Sequence, residues 1–234
     1  VTIRLLDPPL HEFVPQDPGA RATLAKALGI SPAGIKRRGD DLHETNPMMG
    51  HRGVRLGITF PEIYSMQIQA VLEAAALCAK EGIEVYPEIM VPQVATVEEL
   101  MRIHSYVKRI HKIVVLTHGI DVQYKFGSML EVVRACMRAG RMAEDAEFFS
   151  FGTNDLTQAT FSFSREDAEN KFLPMYNERG ILQDNPFEVL DVKGVGKLMQ
   201  LAVGWGRGTR PDMKVGICGE HGGDPASIRF CHQI

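Results

Sequence analysis

The chain has 234 residues, of which 26 are basic and 29 acidic, for a formal net charge of -3. This balance excludes a global electrostatic footprint for nucleic acid or an anionic membrane, so any anion site must be local. No apolar run is long enough to cross a bilayer. The four cysteines are far apart in the sequence, which predicts a reduced, cytoplasmic protein without a structural zinc site.

Strand patterns alternate with amphipathic helical patterns along the chain. The first strand is predicted at Val1–Leu6 and ends at Asp7-Pro8-Pro9, because proline cannot continue a hydrogen-bond ladder. Residues 48–58 mix strand residues with three glycines around two arginines, which suggests backbone held close to a small ligand. With that segment the predicted strands number about six, the others being 85–92, 124–131, 148–152 and 214–218.

Helix signals fill the segments between these strands. Asp17 and Ser31 are predicted N-caps because each precedes a proline, and Gly29 is predicted to end the first helix. Capping boxes are predicted at 59–62 and 96–99, and further helices at 132–142, at 192–205 and from 225 onward. Two apolar stripes at helical spacing are Ile63, Met66, Ala70, Ala74 and Cys78, and Leu100, Ile103, Val107, Ile110 and Val114.

This alternation predicts an α/β fold with parallel strands joined by right-handed crossovers. About six strands are fewer than the eight or so that a closed barrel needs. The chain begins at Val1 inside a predicted strand and stops at Ile234 inside a predicted helix. We therefore expect one domain over residues 1–234 that is an incomplete barrel, cut at both ends.

The strand at 148–152 ends abruptly in Gly152-Thr153-Asn154-Asp155. Gly152 allows close approach of the backbone to a ligand, and the carboxyl ends of parallel strands are where ligand sites form. Asp155 is a candidate ligand for a hard cation. An alternative is that these polar residues only turn the chain and cap a helix.

Charged side chains from several strand ends are expected to meet at one edge of the sheet. Two carboxylates from neighbouring strands can share one Mg²⁺, and arginines opposite them can clamp phosphate or carboxylate. The sequence therefore indicates a small, metal-chelating anion as substrate, or, as the alternative, ion pairs of Arg4 and Arg52 with Glu131 and Asp155 and no ligand. The candidates are Arg4, Arg52, Glu88, Glu131, Asn154, Asp155, Glu220 and His221.

Five motifs in order resemble the C-terminal phosphoenolpyruvate/pyruvate-binding domain of the pyruvate, phosphate dikinase family. They are Arg4–Phe13, Asn46–Gly53, Pro87–Met90, Phe149–Gln158 and Gly216–Gly223. The resemblance covers essentially the whole chain and implies a phosphoenolpyruvate/pyruvate-type (β/α)₈ barrel, incomplete here. It also implies that the ATP-grasp and phosphohistidine domains of the family are absent from this chain.

The resemblance further implies the roles of particular residues. Substrate would contact Arg4, Arg52, Glu131, Gly152, Thr153, Asn154, Asp155 and Arg165. Arg52 would stabilise the enolate and the phosphoryl group in catalysis, and Glu131 and Asp155 would hold Mg²⁺. The partners implied are phosphoenolpyruvate or pyruvate, the phosphohistidine domain of the intact enzyme, and a second copy in a homodimer, with no nucleic acid and no membrane.

In the intact enzyme the implied reaction converts ATP, phosphate and pyruvate into AMP, diphosphate and phosphoenolpyruvate, and the isolated chain should not turn over. Orienting or structural roles are expected for His11, His51 and His221. Cys218 and Cys231 are expected to be core cysteines, with the family's proton-donating cysteine lying beyond Ile234. Alternatives are a non-catalytic phosphoenolpyruvate-binding or dimerisation module, a domain of the phosphoenolpyruvate synthase or sugar phosphotransferase enzyme I type, and a lyase of the same barrel superfamily.

Overall fold

A computed structural model describes residues 1–234, in which five parallel strands form one sheet. The strands follow one another in space in their sequence order, from β1 to β5, and each neighbouring pair is parallel. The chain thus has the predicted α/β architecture of an incomplete barrel. The strands are β1 (Thr2–Arg4), β2 (Glu88–Val91), β3 (Lys125–Leu130), β4 (Phe148–Gly152) and β5 (Lys214–Cys218).

Twelve α-helices connect the strands and cover the sheet. None of them combines the length and apolar composition that crossing a bilayer requires. Short 3₁₀ turns lie at Leu10–Phe13, Pro47–Met49 and Glu220–Gly223. The helices are α1 (Pro18–Leu28), α2 (Pro32–Asp41), α3 (Val54–Thr59), α4 (Pro61–Lys80), α5 (Val97–His118), α6 (Val133–Met137), α7 (Ala139–Met142), α8 (Thr153–Phe161), α9 (Arg165–Lys171), α10 (Leu173–Glu178), α11 (Val195–Thr209) and α12 (Pro225–Gln233).

The predicted sixth strand, within residues 48–58, is absent. This segment contains the end of a 3₁₀ turn and most of α3. Its backbone bonds to the loops that follow two strands instead of joining the ladder: Gly53 N donates to Asp7 O at 3.0 Å and Val54 N to Pro92 O at 3.2 Å. Gly53 has φ of +57°, a conformation outside the extended region. The segment is therefore held close to the ends of β1 and β2.

Most helix caps are as predicted. The side chains of Asp17 and Ser31 accept from backbone amides of α1 and α2, and the Thr96–Glu99 capping box is formed on α5. The predicted box at Thr59 is wrong. The hydroxyl of Thr59 donates to Arg55 O at 3.0 Å, because α3 ends at Thr59 and its last carbonyls need partners.

The core lies between the sheet and the two long helices. The predicted stripe of α5 is buried throughout, but the predicted stripe of α4 is wrong, since Met66 is 63% exposed. The buried face of α4 instead carries Tyr64, Ile68, Leu72, Ala75 and Ala76. The hydroxyl of Tyr64 donates to Leu6 O at 2.8 Å, which ties that face to the loop after β1.

Candidate active site

A cavity of about 1150 Å³ lies at the carboxyl ends of the strands. Every residue for which the sequence predicts a substrate or metal contact lines it. Four of the five strands, β1, β3, β4 and β5, contribute residues to its wall, as expected for the carboxyl ends of parallel strands in a barrel-like fold. The predicted residues in its wall are Arg4, Arg52, Glu131, Gly152, Thr153, Asn154, Asp155 and Arg165.

Asp7 is the centre of the arginine side of this cavity. Its carboxylate is buried, with 3% of the side chain exposed, and accepts from Arg4 Nη1 at 3.2 Å. Arg52 donates to both of its oxygens, through Nε to Oδ1 at 3.3 Å and through Nη2 to Oδ2. The sequence does not mark Asp7 as a site residue, because its position before two prolines is explained by the end of β1. Its partner Arg52 lies 45 residues away in the chain.

Glu131 and Asp155 form a carboxylate pair opposite the arginines. Glu131 is 3% exposed, and its Oε1 accepts from Gln93 N at 2.7 Å. Burial, together with the nearby charge of Asp155, raises the pKa of Glu131 to about 8. Asp155 accepts from Gln93 Nε2 and lies 3.6 Å from Arg52 Nη2.

Gln93 is a second site residue that the sequence does not reveal. It is buried, follows β2, and has φ of +59°, which is uncommon for a residue with a side chain. Its backbone and side-chain amides donate to Glu131 and to Asp155. Nothing in a single sequence predicts that a glutamine after a buried strand will have a positive φ and contact two carboxylates.

Gly152 and Thr153 bring the β4 backbone close to this pair. A Cβ atom at Gly152 would overlap Glu131 Oε2, so any other residue there would displace the Glu131 side chain. Thr153 Oγ1 lies 2.7 Å from His221 Nδ1, and His221 Nε2 lies 3.0 Å from Pro186 O. Burial lowers the pKa of His221, so the neutral ring donates to Pro186 and accepts from Thr153. These contacts fit the predicted orienting role of His221.

The remaining predicted histidines lie outside the cavity wall. His11 packs on His43 with ring centroids 5.2 Å apart. His51 contacts Thr59 through its Nε2. Neither ring, nor that of His221, lines the cavity.

Arg165 closes the far wall of the cavity from the first turn of α9. Its Nη1 lies 3.3 Å from Asn154 Oδ1 and also donates to Glu220 Oε2. Its Nη2 donates to Glu220 Oε1 at 2.9 Å, and its Nε lies 3.3 Å from Glu169. The position of Arg165 is therefore fixed by three partners on different elements.

Glu88 does not belong to this edge of the sheet. It is the first residue of β2, and its carboxylate accepts from Lys214 Nζ at 2.9 and 2.7 Å. Lys214 is the first residue of β5. The predicted placement of Glu88 at a carboxyl end is wrong, because β2 begins at Glu88 and runs to Val91.

Cys218 and Cys231 differ in their surroundings. Cys231 packs against the main core as predicted. Cys218 contacts the small cluster of Met90, Met129 and Phe148, but it also lines the cavity. Cys218 thus packs on a core cluster as predicted, and as the last residue of β5 it also brings a thiol to the edge where the site forms.

Comparison with known proteins identifies the family. Residues 1–234 match the family described as PEP-utilising enzyme, PEP-binding domain. The chain belongs to this family. It is 53% identical over 235 residues to the pyruvate, phosphate dikinase of Clostridium symbiosum, and 52% identical over 242 residues to that of Entamoeba histolytica. Each alignment covers 100% of this chain and 27% of the relative.

The similarity of this PEP-binding domain extends to a plant relative of comparable identity. The chloroplastic pyruvate, phosphate dikinase 1 of Arabidopsis thaliana is 52% identical over 232 residues, which cover 98% of this chain and 24% of the relative. The chain thus spans about a quarter of the length of these curated relatives.

The carboxylate pair of this PEP-binding domain fits a divalent cation only in part. No group of three or more His, Cys, Asp and Glu side chains is arranged as a metal site. Burial, and after it repulsion by Asp155, raises the pKa of Glu131. A cation between the two carboxylates would relieve that repulsion. Such a cation would need water or substrate oxygens for its remaining ligands, as Mg²⁺ commonly does.

The raised pKa of Glu131 predicts a pH-dependent stability in the absence of metal. The folded chain holds this proton up to about pH 8, whereas the ordinary pKa is 4.5. The contribution to stability is therefore fully present below pH 4.5 and is lost as the pH rises toward 8. Glu131→Gln cannot ionise, and its amide oxygen can still accept from Gln93 N.

We expect Glu131→Gln to be more stable than the unsubstituted chain at pH 8 in EDTA, by more than about 1 kcal/mol, since one pKa unit corresponds to about 1.4 kcal/mol. The gain should shrink at pH 5. Urea unfolding at the two pH values measures both differences. An equal gain at pH 5 and pH 8 would contradict the raised pKa.

Proposed function

We propose that this domain binds phosphoenolpyruvate and pyruvate, and that a phosphohistidine exchanges its phosphoryl group with pyruvate in the cavity. The observation that supports it best is the meeting of Arg52, Glu131 and Asp155 in one cavity wall. Charges of both signs that are buried or half-buried are a poor way to gain stability, so their presence together at a strand-end cavity favours a ligand that uses them. Membership of the PEP-utilising family supports the same substrate class.

Mg²⁺ is the cofactor in this proposal, held by Glu131 and Asp155. It would offset the negative charge of the enolate and phosphoryl oxygens. Gly152 and Asn154 stand beside this pair in the cavity wall. The backbone can approach a substrate closely at Gly152, because glycine has no side chain.

The two arginines hold the anionic groups of the substrate. The side chain of Arg4 is 45% exposed and donates to Asp7 only through Nη1, so its other nitrogens are free to donate to a substrate. Arg52 is fixed by the forked contact with Asp7 and points its charge toward Asp155. A guanidinium held in place stabilises charge on the enolate oxygen without having to reorganise.

The complete reaction belongs to an intact protein of which this chain matches about a quarter. There, ATP, phosphate and pyruvate would give AMP, diphosphate and phosphoenolpyruvate. The phosphohistidine would come from a separate domain, and the homodimer is part of the same proposal. The isolated chain is expected to bind substrate and not to transfer phosphate.

Metal-dependent binding tests this proposal. Calorimetric titration of phosphoenolpyruvate into the chain should show binding that needs Mg²⁺. Arg52→Ala and Asp155→Ala should each weaken binding about tenfold or more, because hydrogen bonds to charged groups contribute about 1.5–3 kcal/mol. Arg109→Ala is the control, since Arg109 lies on α5 and outside the cavity. Equal affinity with and without Mg²⁺, or in Asp155→Ala, would contradict the proposed roles.

We propose Cys218 as the proton donor to the enolate, in place of the expected cysteine beyond Ile234, because its thiol lies at the cavity. Its burial raises the pKa of the thiol, so it stays protonated at neutral pH. It lines the same cavity as Arg4 and Glu131. The thiol would give its proton to the methylene carbon of the enolate to form pyruvate, and in reverse the thiolate would take a proton from the pyruvate methyl group.

Exchange of the pyruvate methyl protons in D₂O tests this role without a phosphohistidine domain. With Mg²⁺ present, we expect the chain to catalyse the exchange and Cys218→Ala to slow it about 100-fold, a typical contribution of general acid–base catalysis. Cys231→Ala is the matched control and should exchange at the unsubstituted rate, because Cys231 packs on the core. Proton NMR of the methyl signal measures all three. Unchanged exchange in Cys218→Ala would exclude the role.

A further inference from the structure

Arg165 lines the substrate cavity, but its terminal nitrogens are already paired within the chain. Nη1 and Nη2 both donate to the carboxylate of Glu220, Nη2 at 2.9 Å to Oε1. This is the forked contact by which arginine recognises a carboxylate or a phosphate. While Glu220 is bound to Nη1 and Nη2, and Glu169 to Nε, Arg165 has no pair of free nitrogens for a forked contact with a substrate anion.

Two further side chains, those of Glu169 and Asn154, also contact the guanidinium of Arg165. Glu169 accepts from Nε at 3.3 Å, and is itself fixed by Asn185 Nδ2 at 2.9 Å. Asn154 Oδ1 lies 3.3 Å from Nη1. These contacts keep the guanidinium in the cavity wall whether or not Glu220 is bound.

Glu220 is the partner that is easiest to displace. Its side chain is 56% exposed, against 30% for Arg165, and it lies in the 3₁₀ turn after β5. An exposed ion pair of this kind contributes little to stability, since water competes for both charges. Releasing Glu220 into solvent would therefore leave a fork of Arg165 open at small cost.

We propose that Glu220 occludes the anion-binding edge of Arg165 and must release it when the phosphate or carboxylate of the substrate binds. This inference rests on the proposed function of the cavity. Glu220 then acts as an intramolecular competitor that weakens the resting affinity for the anion. Two carboxylates on one guanidinium also leave it with little net positive charge toward the cavity.

The opposite role for Glu220, that of a support for Arg165, makes the opposite prediction. If Glu220 positions the guanidinium, removing its charge weakens substrate binding. If it competes, removing its charge tightens binding. The sign of the change therefore decides between the two.

The test is calorimetric titration of phosphoenolpyruvate with Mg²⁺ into Glu220→Gln. We expect binding to tighten about two- to fivefold, the range that corresponds to an exposed ion pair. The gain should disappear in the double variant that also carries Arg165→Gln, because the effect is exerted through that guanidinium. Glu169→Gln is the matched control: it removes a carboxylate from Nε, leaves the fork on Glu220, and should not tighten binding.

Circular dichroism and thermal unfolding confirm that each variant is folded. If the unsubstituted chain binds phosphoenolpyruvate and Glu220→Gln binds equally or more weakly, the competitor role is wrong while the proposed function stands. Equal tightening in Glu169→Gln would also overturn it, because the effect would then be one of general charge. If neither the unsubstituted chain nor Glu220→Gln binds, both the proposed function and this inference fail.

Discussion

The packing of three carboxylates, two of them buried, around one guanidinium is the constraint on which the rest of the site depends. Asp7, Glu131 and Asp155 follow the ends of three strands. Beside them, the side chain of Arg52 is mostly buried, whereas that of Arg4 is 45% exposed. Burying charges is costly unless they are paired. Because Arg52 donates through Nε and Nη2 to Asp7, its charge does not also neutralise both carboxylates of the Glu131–Asp155 pair. Without metal, protonation of Glu131 reduces the negative charge of the pair. A bound divalent cation would neutralise both carboxylates.

The surrounding backbone is shaped by the need to bring these groups together. Gly53 has a positive φ, and a Cβ atom there would lie 2.7 Å from Gln93 Cβ. Gln93 also has a positive φ, and it donates to both members of the carboxylate pair. Gly152 leaves room for Glu131. Three separate segments, one before α3 and two at the ends of β2 and β4, are thus fitted to one small volume, which is typical of a preorganised site.

Local signals account for what the sequence predicts correctly. The strand that ends at Gly152, the caps at Asp17, Ser31 and Thr96, and the stripe of α5 each depend on neighbours within a few residues. Asp7 and Gln93 depend on partners 38 to 62 residues away, so their roles emerge only when the strands are assembled. Glu88 shows the same limit, because a shift of a few residues in where β2 begins places its side chain at the opposite end of the sheet.

The buried face of α4 is ambiguous in the sequence for a different reason. Apolar residues surround much of that helix, and the contact of Tyr64 with the loop after β1 selects the buried side.

The central claim is that Glu131 and Asp155 together hold one divalent cation that the substrate completes. Electron paramagnetic resonance titration of Mn²⁺, as a spectroscopic substitute for Mg²⁺, tests this most directly in the presence of phosphoenolpyruvate. The account predicts one bound Mn²⁺ per chain that Mg²⁺ displaces and that is lost in folded Glu131→Gln. Stoichiometric Mn²⁺ binding that persists unchanged in Glu131→Gln, or no bound Mn²⁺ in the unsubstituted chain, would contradict it.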